Sequence, residues 1–337
     1  DEPLTLARIH TAETDKWLAF GETRAWNWQQ GTMLQWVPTA PDRLVIHNDR
    51  DGDRFVSIVR DMKTGDRRKL PHPIYAVSRN GRHAVTLNFA RVARTRPGYG
   101  YAGVEDPGAD DRQPENDGVW LMDLETGENK LVVNIAQAAR LKPTDDMGHG
   151  DHWFNHLLFN TTDTRFILLH GWKKSGGGWR ARMLTANPDG SDIRIVADEG
   201  MVSHFDWKDA HHILAWATHK GKNAYWLFDE RTGDAEIVGP EVFDRDGHCS
   251  YSPDRKWILT DTYPDKERMQ TLILYRLADR KRIDVGRFHL SREHKGELRC
   301  DLHPRWSRDG RQICIDSAHS GKRQMYVLDV SRIVEQT

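Results

Sequence analysis

The chain has 337 residues, and its 49 basic and 50 acidic side chains leave a formal net charge of −1. A nearly neutral chain offers no charge-based reason to expect a nucleic-acid partner or binding to an anionic membrane. No apolar run approaches the length that crosses a bilayer, so we expect a soluble protein without a membrane partner. The three cysteines have no CxxC spacing and no even-numbered disulfide framework.

A repeat of short strands organises the chain from its first residues. Residues 4–22 resemble the outer strand pair of a repeat whose inner pair is missing, so we expect an N-terminal portion to be absent from this chain. Alternating apolar runs follow, without helical periodicity. The inner strands are expected to begin near residues 33, 74, 156, 204, 248 and 303.

Tight turns mark the outer half of three repeats. Residues 61–65, 123–127 and 229–233 share the pattern Asp-x-x-Thr-Gly, which is typical of turns that need a side-chain cap and a positive φ. Insertions at 91–117 and 136–152 interrupt the spacing, and loops of that length are often functional. We therefore predict an all-β fold, a monomeric seven-bladed β-propeller forming one domain over residues 1–337, with an incomplete N-terminal blade.

Four repeats begin with a histidine that stands three positions before an aromatic residue: His156, His204, His248 and His303. In a ring of repeats, equivalent positions converge on one axis, so these side chains are predicted to share a site. Imidazoles around one point suit Mn²⁺ or Zn²⁺ better than Ca²⁺. The predicted metal ligands are His204, His248, His303 and Asp301, and His156 is assigned to the substrate. The alternative is a set of hydrogen-bonded core histidines at the mouth of the channel.

Further polar residues are candidates to complete such a site. A guanidinium can grip an oxyanion through two hydrogen bonds, which makes the arginines at the start of the first insertion candidates for a carboxylate or sulfate clamp. Their alternative role is structural, in a loop or on a strand surface. The residues predicted for catalysis are Arg182, His156, His170, His152 and Tyr101. The residues predicted to bind substrate are Arg91, Arg94, Arg96, Tyr99, Gln35, Trp172 and Arg180.

Residues 302–328, with the motifs His204-Phe-Asp-Trp207 and His156-Leu-Leu-Phe159 and with residues 181–183, resemble the oligogalacturonate lyases. The resemblance covers about residues 150–330. It implies a seven-bladed propeller that cleaves uronic-acid oligosaccharides by β-elimination with a divalent metal, typically manganese.

The same resemblance implies roles for individual residues. It makes His204 and His303 metal ligands and Arg182 the counterpart of the catalytic arginine. The family has a further histidine where this chain has Asp301, and its glutamine ligand falls near Leu298. The metal site is therefore expected to be rebuilt around His248 and Asp301, or replaced.

The sequence thus predicts a lyase acting on an acidic oligo- or polysaccharide. A cation on the uronate carboxylate stabilises the charge that develops when a base removes the C5 proton. Ulvan lyases and a propeller rhamnosidase group remain competitors. One alternative is a glycoside hydrolase, which needs a pair of carboxylic acids. The other is a non-catalytic propeller of the translocation-associated kind that binds a protein partner. The compartment stays open between periplasmic or secreted and cytoplasmic.

Overall fold

The structure is a computed structural model that describes residues 4–5, 8–11, 16–19 and 22–335, with side chains from residue 23 onward. Residues 1–194 and 195–337 form two compact units. Parts of the segment predicted to be the outer pair of a further blade, residues 6–7, 12–15 and 20–21, lie outside the described residues. Its described strands form two separate two-stranded pairs, β1 with β4 and β2 with β3. Their bounds are β1 (Leu4–Thr5), β2 (Arg8–Thr11), β3 (Lys16–Ala19) and β4 (Glu22–Thr23).

The first unit contains three antiparallel sheets in which consecutive strands are neighbours, the arrangement of a propeller blade. The last strand of its third sheet crosses the boundary between the units. The first sheet has β5 (Gln35–Trp36), β6 (Leu44–Asp51), β7 (Arg54–Asp61) and β8 (Arg67–Leu70). The second has β9 (Ala76–Val77), β10 (His83–Thr86), β11 (Gly118–Asp123) and β12 (Asn129–Asn134). The third has β13 (His152–Phe159), β14 (Phe166–Lys173), β15 (Trp179–Ala186) and β16 (Arg194–Ala197).

The second unit contains three more sheets of the same kind, and the last of them has three strands. The fourth sheet has β17 (Val202–Trp207), β18 (His212–His219), β19 (Lys222–Asp229) and β20 (Ala235–Ile237). The fifth has β21 (Ser250–Tyr251), β22 (Trp257–Asp261), β23 (Met269–Arg276) and β24 (Lys281–His289). The sixth has β25 (Arg305–Trp306), β26 (Gln312–Ser317) and β27 (Gln324–Asp329). The described residues therefore form six blades, and the expected count of seven was wrong.

The Asp-x-x-Thr-Gly turns share one geometry. In the first, the Asp61 carboxylate accepts hydrogen bonds from two backbone N–H groups inside the turn, at 2.9 and 3.2 Å. Gly65 has φ +82° and donates its N–H to the Asp61 carbonyl at 2.9 Å. Gly127 and Gly233 repeat this hydrogen bond at 2.9 Å, with φ of +78° and +79°. Glycine suits this position because the left-handed conformation has no steric cost without a Cβ atom.

Three short helices accompany the strands: α1 (Phe89–Thr95), α2 (Ile135–Arg140) and α3 (Ser331–Val334). The first two begin at the insertions, where Asn88 and Asn134 accept hydrogen bonds from the N–H groups three residues later. Helices of two turns or fewer leave almost no periodic signal in a sequence, so the pattern did not predict them. None of the helices in the described ranges has the length and apolar character that crossing a membrane requires.

The core lies between successive sheets, and alternation along the strands builds it. In β22, Ile258 packs toward Tyr225 of the preceding sheet, whereas Leu259 packs toward Ile313 of the following sheet. Neighbouring residues of a strand face opposite sides, so one strand serves two interfaces. Each such buried side chain contributes roughly 1.5–3 kcal/mol. This packing holds the first strand of each sheet of the second unit in place. His204, His248 and His303 lie in or just before those strands.

Candidate metal centre and its surroundings

Three of the four motif histidines stand at the beginning of consecutive sheets in the second unit. His204 lies in β17 where the pairing with β18 shifts register between Val202 and Phe205. His248 and His303 each come two residues before the first strand of their sheet. His303 has φ +41°, a conformation that non-glycine residues seldom adopt. Bulges and unusual backbone angles of this kind direct a side chain away from the regular sheet face.

Three of the four predicted metal ligands lie close together. Ligand atoms of His248, Asp301 and His303 all lie within 4.8 Å of one another. The His248 ring centroid is 4.1 Å from that of His303 and 4.1 Å from that of His204. His204 is not one of the three residues whose ligand atoms converge. The described residues therefore contain a group able to hold a metal ion, with a further histidine beside it.

Two buried or half-buried carboxylates orient the histidines. His248 Nδ1 lies 2.9 and 3.0 Å from the two Asp261 oxygens, and the His248 backbone N–H donates to the same carboxylate at 2.7 Å. His204 Nδ1 lies 3.0 Å from Asp246 Oδ1. A carboxylate that accepts the Nδ1–H leaves Nε2 with the lone pair that binds a metal or a proton. Sequence reasoning missed both aspartates, because neither belongs to a motif.

The histidines are held in the form that binds metals. Burial lowers the pKa of His248 well below its ordinary value, and the charge of His204 acts in the same direction. Burial, followed by the charge of His248, lowers the pKa of His303 to about 3. Burial also raises the pKa of Asp261 to about 6. Both imidazoles are therefore neutral at physiological pH, as metal ligation requires.

The charges around these neutral rings favour a divalent cation. Asp246, Asp261 and Asp301 supply three carboxylates, and Arg299 supplies a guanidinium that lies 2.9 and 2.8 Å from the Asp301 oxygens. The excess of negative charge matches a bound cation. Imidazole nitrogen together with carboxylate oxygen suits Mn²⁺ or Zn²⁺. Cys249, which is buried, is not among the residues whose ligand atoms converge.

Tyr263, which belongs to no motif of the sequence, lies beside two of the histidines. The Tyr263 ring centroid is 5.7 Å from that of His248 and 6.3 Å from that of His204. The Arg299 guanidinium lies 4.8 Å from the centroid of the same ring. Burial raises the pKa of Tyr263, so its hydroxyl keeps its proton at neutral pH. Tyr263 is thus a half-buried proton donor beside the histidines.

The residues predicted for catalysis and substrate binding all lie in the first unit, and three of them form a buried network. His152 Nδ1 is 2.8 Å from His170 Nε2, and Arg182 Nε donates to His170 Nδ1 at 3.1 Å. Arg182 also donates to backbone carbonyls at the end of α2 and just after it, at 2.6 and 2.7 Å. All three residues are at most 1% exposed. Trp172, 2% exposed, packs 5.6 Å from the His170 ring, while the more exposed Arg180 pairs with Asp146 at 3.0 Å.

The arginines of the first insertion are engaged with the insertion itself. Arg91 is 1% exposed and donates to four backbone carbonyls, among them that of His152 at 2.6 Å. Arg94 pairs with Asp106 at 3.1 Å and with Asp151 at 2.9 Å. Tyr101 is fully buried, and its hydroxyl accepts a hydrogen bond from an asparagine side chain at 3.0 Å. The contacts of Arg91 and Arg94 hold the inserted segment against the beginning of β13, and that of Tyr101 links it to β6.

The remaining predicted residues of this unit include an aromatic cluster. The Arg96 guanidinium lies 3.9 Å from the ring centroid of Trp179 and 5.1 Å from that of Tyr99. The Tyr99 ring is 5.3 Å from the His156 ring. His156 has φ +51° and occupies a register shift of β13 like that of His204 in β17. Gln35 bridges two sheets, donating to the Tyr75 carbonyl and accepting from the Val77 N–H, each at 3.0 Å. The roles predicted for all these residues stay predictions.

Comparison with known proteins identifies solved structures of similar fold. No protein-family model matches the sequence, and no curated protein sequence matches it. Among solved structures, an oligogalacturonate lyase in complex with manganese matches with a TM-score of 0.64 at 16% identity, over 95% of this chain and 81% of that one. The β-propeller domain of the Trilobed protease from Pyrococcus furiosus matches with a TM-score of 0.51 at 14% identity, over 85% and 78%. The tricorn protease matches with a TM-score of 0.52 at 12% identity, over 88% of this chain and 29% of that one.

The chain has a β-propeller fold. The sequence prediction of an all-β propeller is confirmed, with six blades in place of seven. Identities of 12–16% show likeness of fold, and propellers of one fold host a lyase and proteases among these three proteins. The resemblance to oligogalacturonate lyases is thus matched at the level of fold, and the function has to be argued from the site.

Proposed function

We propose that this chain is a metal-dependent lyase that cleaves a uronic-acid-containing oligo- or polysaccharide by β-elimination. The observation that carries the proposal is the convergence of His248, Asp301 and His303, with the His204–Asp246 pair beside them. The fold likeness to a lyase that binds manganese supports the same reading. Mn²⁺ or Zn²⁺ is the proposed ion, because both accept imidazole and carboxylate ligands.

The three converging residues would hold the ion. A divalent cation there would neutralise the uronate carboxylate and so make the neighbouring C5–H more acidic. His248 reaches this position through its contact with Asp261, and His303 through its left-handed backbone. Their lowered pKa values keep protons from competing for the same nitrogen atoms.

We assign the base to His204, a change from the metal-ligand role that the sequence suggested. Asp246 accepts its Nδ1–H, so Nε2 can take the C5 proton. The electron pair of the broken C5–H bond forms the C4=C5 double bond, and the C4–O bond breaks. Tyr263, which is protonated, donates to the departing oxygen and later regains a proton from His204, which balances the reaction.

Three of the residues predicted for catalysis are buried and already hydrogen-bonded, which favours His204 as the base. Arg182, His152 and His170 are at most 1% exposed and are bonded to one another or to backbone carbonyls. An arginine is also a weak base at its ordinary pKa. His204 has a carboxylate partner and lies beside the converging ligands, which is the arrangement that proton abstraction needs.

The test uses the purified protein after chelator treatment and after reloading with Mn²⁺ or Zn²⁺. A uronate oligosaccharide is added, and ultraviolet absorbance reports the conjugated double bond that elimination creates. We expect absorbance to rise only with the metal-loaded protein, and His204→Gln to slow it by at least about 100-fold. His212→Gln is the matched control, because His212 Nδ1 also contacts an aspartate, at 2.8 Å, on a surface turn.

Three results would contradict parts of this proposal. New reducing ends without absorbance would establish a glycoside hydrolase instead. Equal rates with His204→Gln and the unmodified protein would remove His204 from the reaction. A protein that neither binds a metal nor alters any acidic glycan would be a non-catalytic propeller.

A further inference from the structure

A second feature of the second unit is a basic cavity of about 690 Å³, beside the candidate metal centre. This volume falls within the roughly 300–1,000 Å³ that is usual for small-ligand sites. Among the described residues, its lining contains no aspartate or glutamate. Its polar lining residues are Tyr263, Arg268, Arg292, His294, Lys295 and Arg299.

Within residues 23–335, three of the four cationic side chains of the lining form no ion pair: Arg268, Arg292 and Lys295. Arg299 is paired with Asp301, and Arg268 donates its Nε–H to the Leu290 carbonyl at 3.0 Å. Arg292 and Lys295 are exposed, and neither forms an ion pair with any residue between 22 and 335. Glutamates at 293 and 297 share the segment but do not line the cavity. The cavity therefore has a net positive charge that the protein itself leaves uncompensated.

One of the lining residues has a buried nitrogen without a hydrogen-bond partner among the described residues. His294 Nδ1 is buried and has no hydrogen-bond partner within the described part of the chain. Buried polar atoms in native proteins nearly always find a partner in protein, water or ligand. A ligand with several acceptor oxygen atoms could pair with Arg292 and Lys295 together.

The cavity adjoins the candidate metal centre through two shared residues. Tyr263 lines the cavity, and its ring centroid is 5.7 Å from that of His248. Arg299 also lines the cavity, and its guanidinium binds Asp301, one of the three converging ligands. A chain of sugars with one unit at the metal centre would therefore place a neighbouring unit at the cavity.

We propose that this cavity is an anion subsite that binds the carboxylate of the sugar next to the cleaved one. The substrate class is then a run of at least two adjacent uronates, because a neutral neighbour would leave Arg292 and Lys295 uncompensated. A carboxylate offers each cation a charge-assisted hydrogen bond, and the lining has no acidic group to repel it. The position of the cleaved sugar rests on the proposed function, whereas anion binding in the cavity does not.

The experiment compares the unmodified protein with the double variant Arg292→Ala/Lys295→Ala. The control is Lys222→Ala/Lys281→Ala, which removes two exposed lysines of the same unit that do not line the cavity. Calorimetric titrations use a trimer of one uronic acid, a neutral trimer and a sulfated neutral trimer, with and without Mn²⁺. Because all four residues are exposed, both variants are expected to fold, and thermal melting verifies it.

We expect the uronate trimer to bind the unmodified protein and the control equally. The Arg292→Ala/Lys295→Ala protein should bind it about tenfold more weakly, since each exposed ion pair contributes modestly. Added salt should narrow the difference. An unchanged dissociation constant in this variant would overturn the subsite, and so would equal binding of the neutral trimer. Tighter binding of the sulfated trimer would overturn its assignment to a carboxylate.

The calorimetric titrations and the absorbance assay of elimination together separate this inference from the proposed function. If elimination never occurs but uronate binding still depends on Arg292 and Lys295, the subsite stands and the lyase proposal fails. If elimination occurs and the variant keeps the same KM for the trimer, the lyase proposal stands and the subsite fails. A tenfold rise in KM with unchanged kcat supports both.

Discussion

Replacing Asp261 by Asn tests whether the buried carboxylate behind His248 supports metal binding. Asp261 is 3% exposed, and its oxygens accept from the His248 backbone N–H at 2.7 Å and lie 2.9 and 3.0 Å from Nδ1. Asparagine keeps nearly the same volume but has one acceptor oxygen and no charge. It would therefore orient the ring less firmly and make Nε2 a weaker donor to a metal.

The expected loss follows from these contacts. Carboxylates that orient a metal-binding histidine are worth roughly 10- to 100-fold in metal affinity. That range corresponds to about 1.4–2.7 kcal/mol. The value for one hydrogen bond to a charged group, about 1.5–3 kcal/mol, agrees with it. We therefore expect Asp261→Asn to raise the dissociation constant for Mn²⁺ by about one to two orders of magnitude.

The assay is a titration of metal-free protein with Mn²⁺ in competition with a chromophoric chelator. Asp209→Asn is the matched control, because Asp209 contacts His212 Nδ1 at 2.9 and 2.8 Å but lies outside the converging group. The reasoning is refuted if folded Asp261→Asn binds Mn²⁺ as tightly as the unmodified protein. An equal loss in Asp209→Asn would also refute it, because the effect would then not be specific to the metal centre.

The remaining predictions concern the first unit and its stability. Burial, with the charge of Arg182 next, lowers the pKa of His170 well below its ordinary value. The unfolded chain therefore gains a proton near pH 6.5 that the folded chain does not, so the free energy of unfolding is highest above that pH and falls below it by up to about 1.4 kcal/mol per pH unit. Urea unfolding at several pH values between 7 and 5 should show that the unfolding free energy of His170→Asn depends less steeply on pH than that of the unmodified protein. An identical dependence on pH would contradict this prediction. Gly65→Ala should destabilise the protein by about 1 kcal/mol in the same assay, because φ is +82° and no heavy atom would meet the new Cβ. Gly148→Ala, which also has open space but no positive φ, is its control and should change stability by less than about 0.5 kcal/mol.

Blade spacing and turn geometry could be predicted because they depend on neighbouring residues. The Asp61–Gly65 turn is closed by contacts within five residues, so its pattern is visible in the sequence. The expected beginnings of the inner strands differ from the observed ones by two to four residues, with the largest difference at β13. The blade count failed where residues 4–22 were read as part of a seventh blade.

Exposure of individual polar residues could not be predicted in the same way. Arg91 was predicted to bind substrate and Arg182 to act in catalysis, yet each donates to backbone carbonyls of segments that the sequence does not place beside them. Arg292 and Lys295 belong to no motif, and only the folded structure reveals that they line a cavity whose described lining contains no aspartate or glutamate. A guanidinium has the same chemistry in either setting, so burial and partners decide its role.

The amino-acid sequence alone determined the sheet-forming repeat and the place of each histidine at the beginning of a sheet. Both follow from local propensity and from alternation along a strand. Tertiary structure decided which side chains surround those histidines. Asp246 reaches His204 across 42 residues, and Asp261 reaches His248 across 13. Contacts of that kind arise only when distant segments pack together, and the charge and orientation of the proposed catalytic groups depend on them.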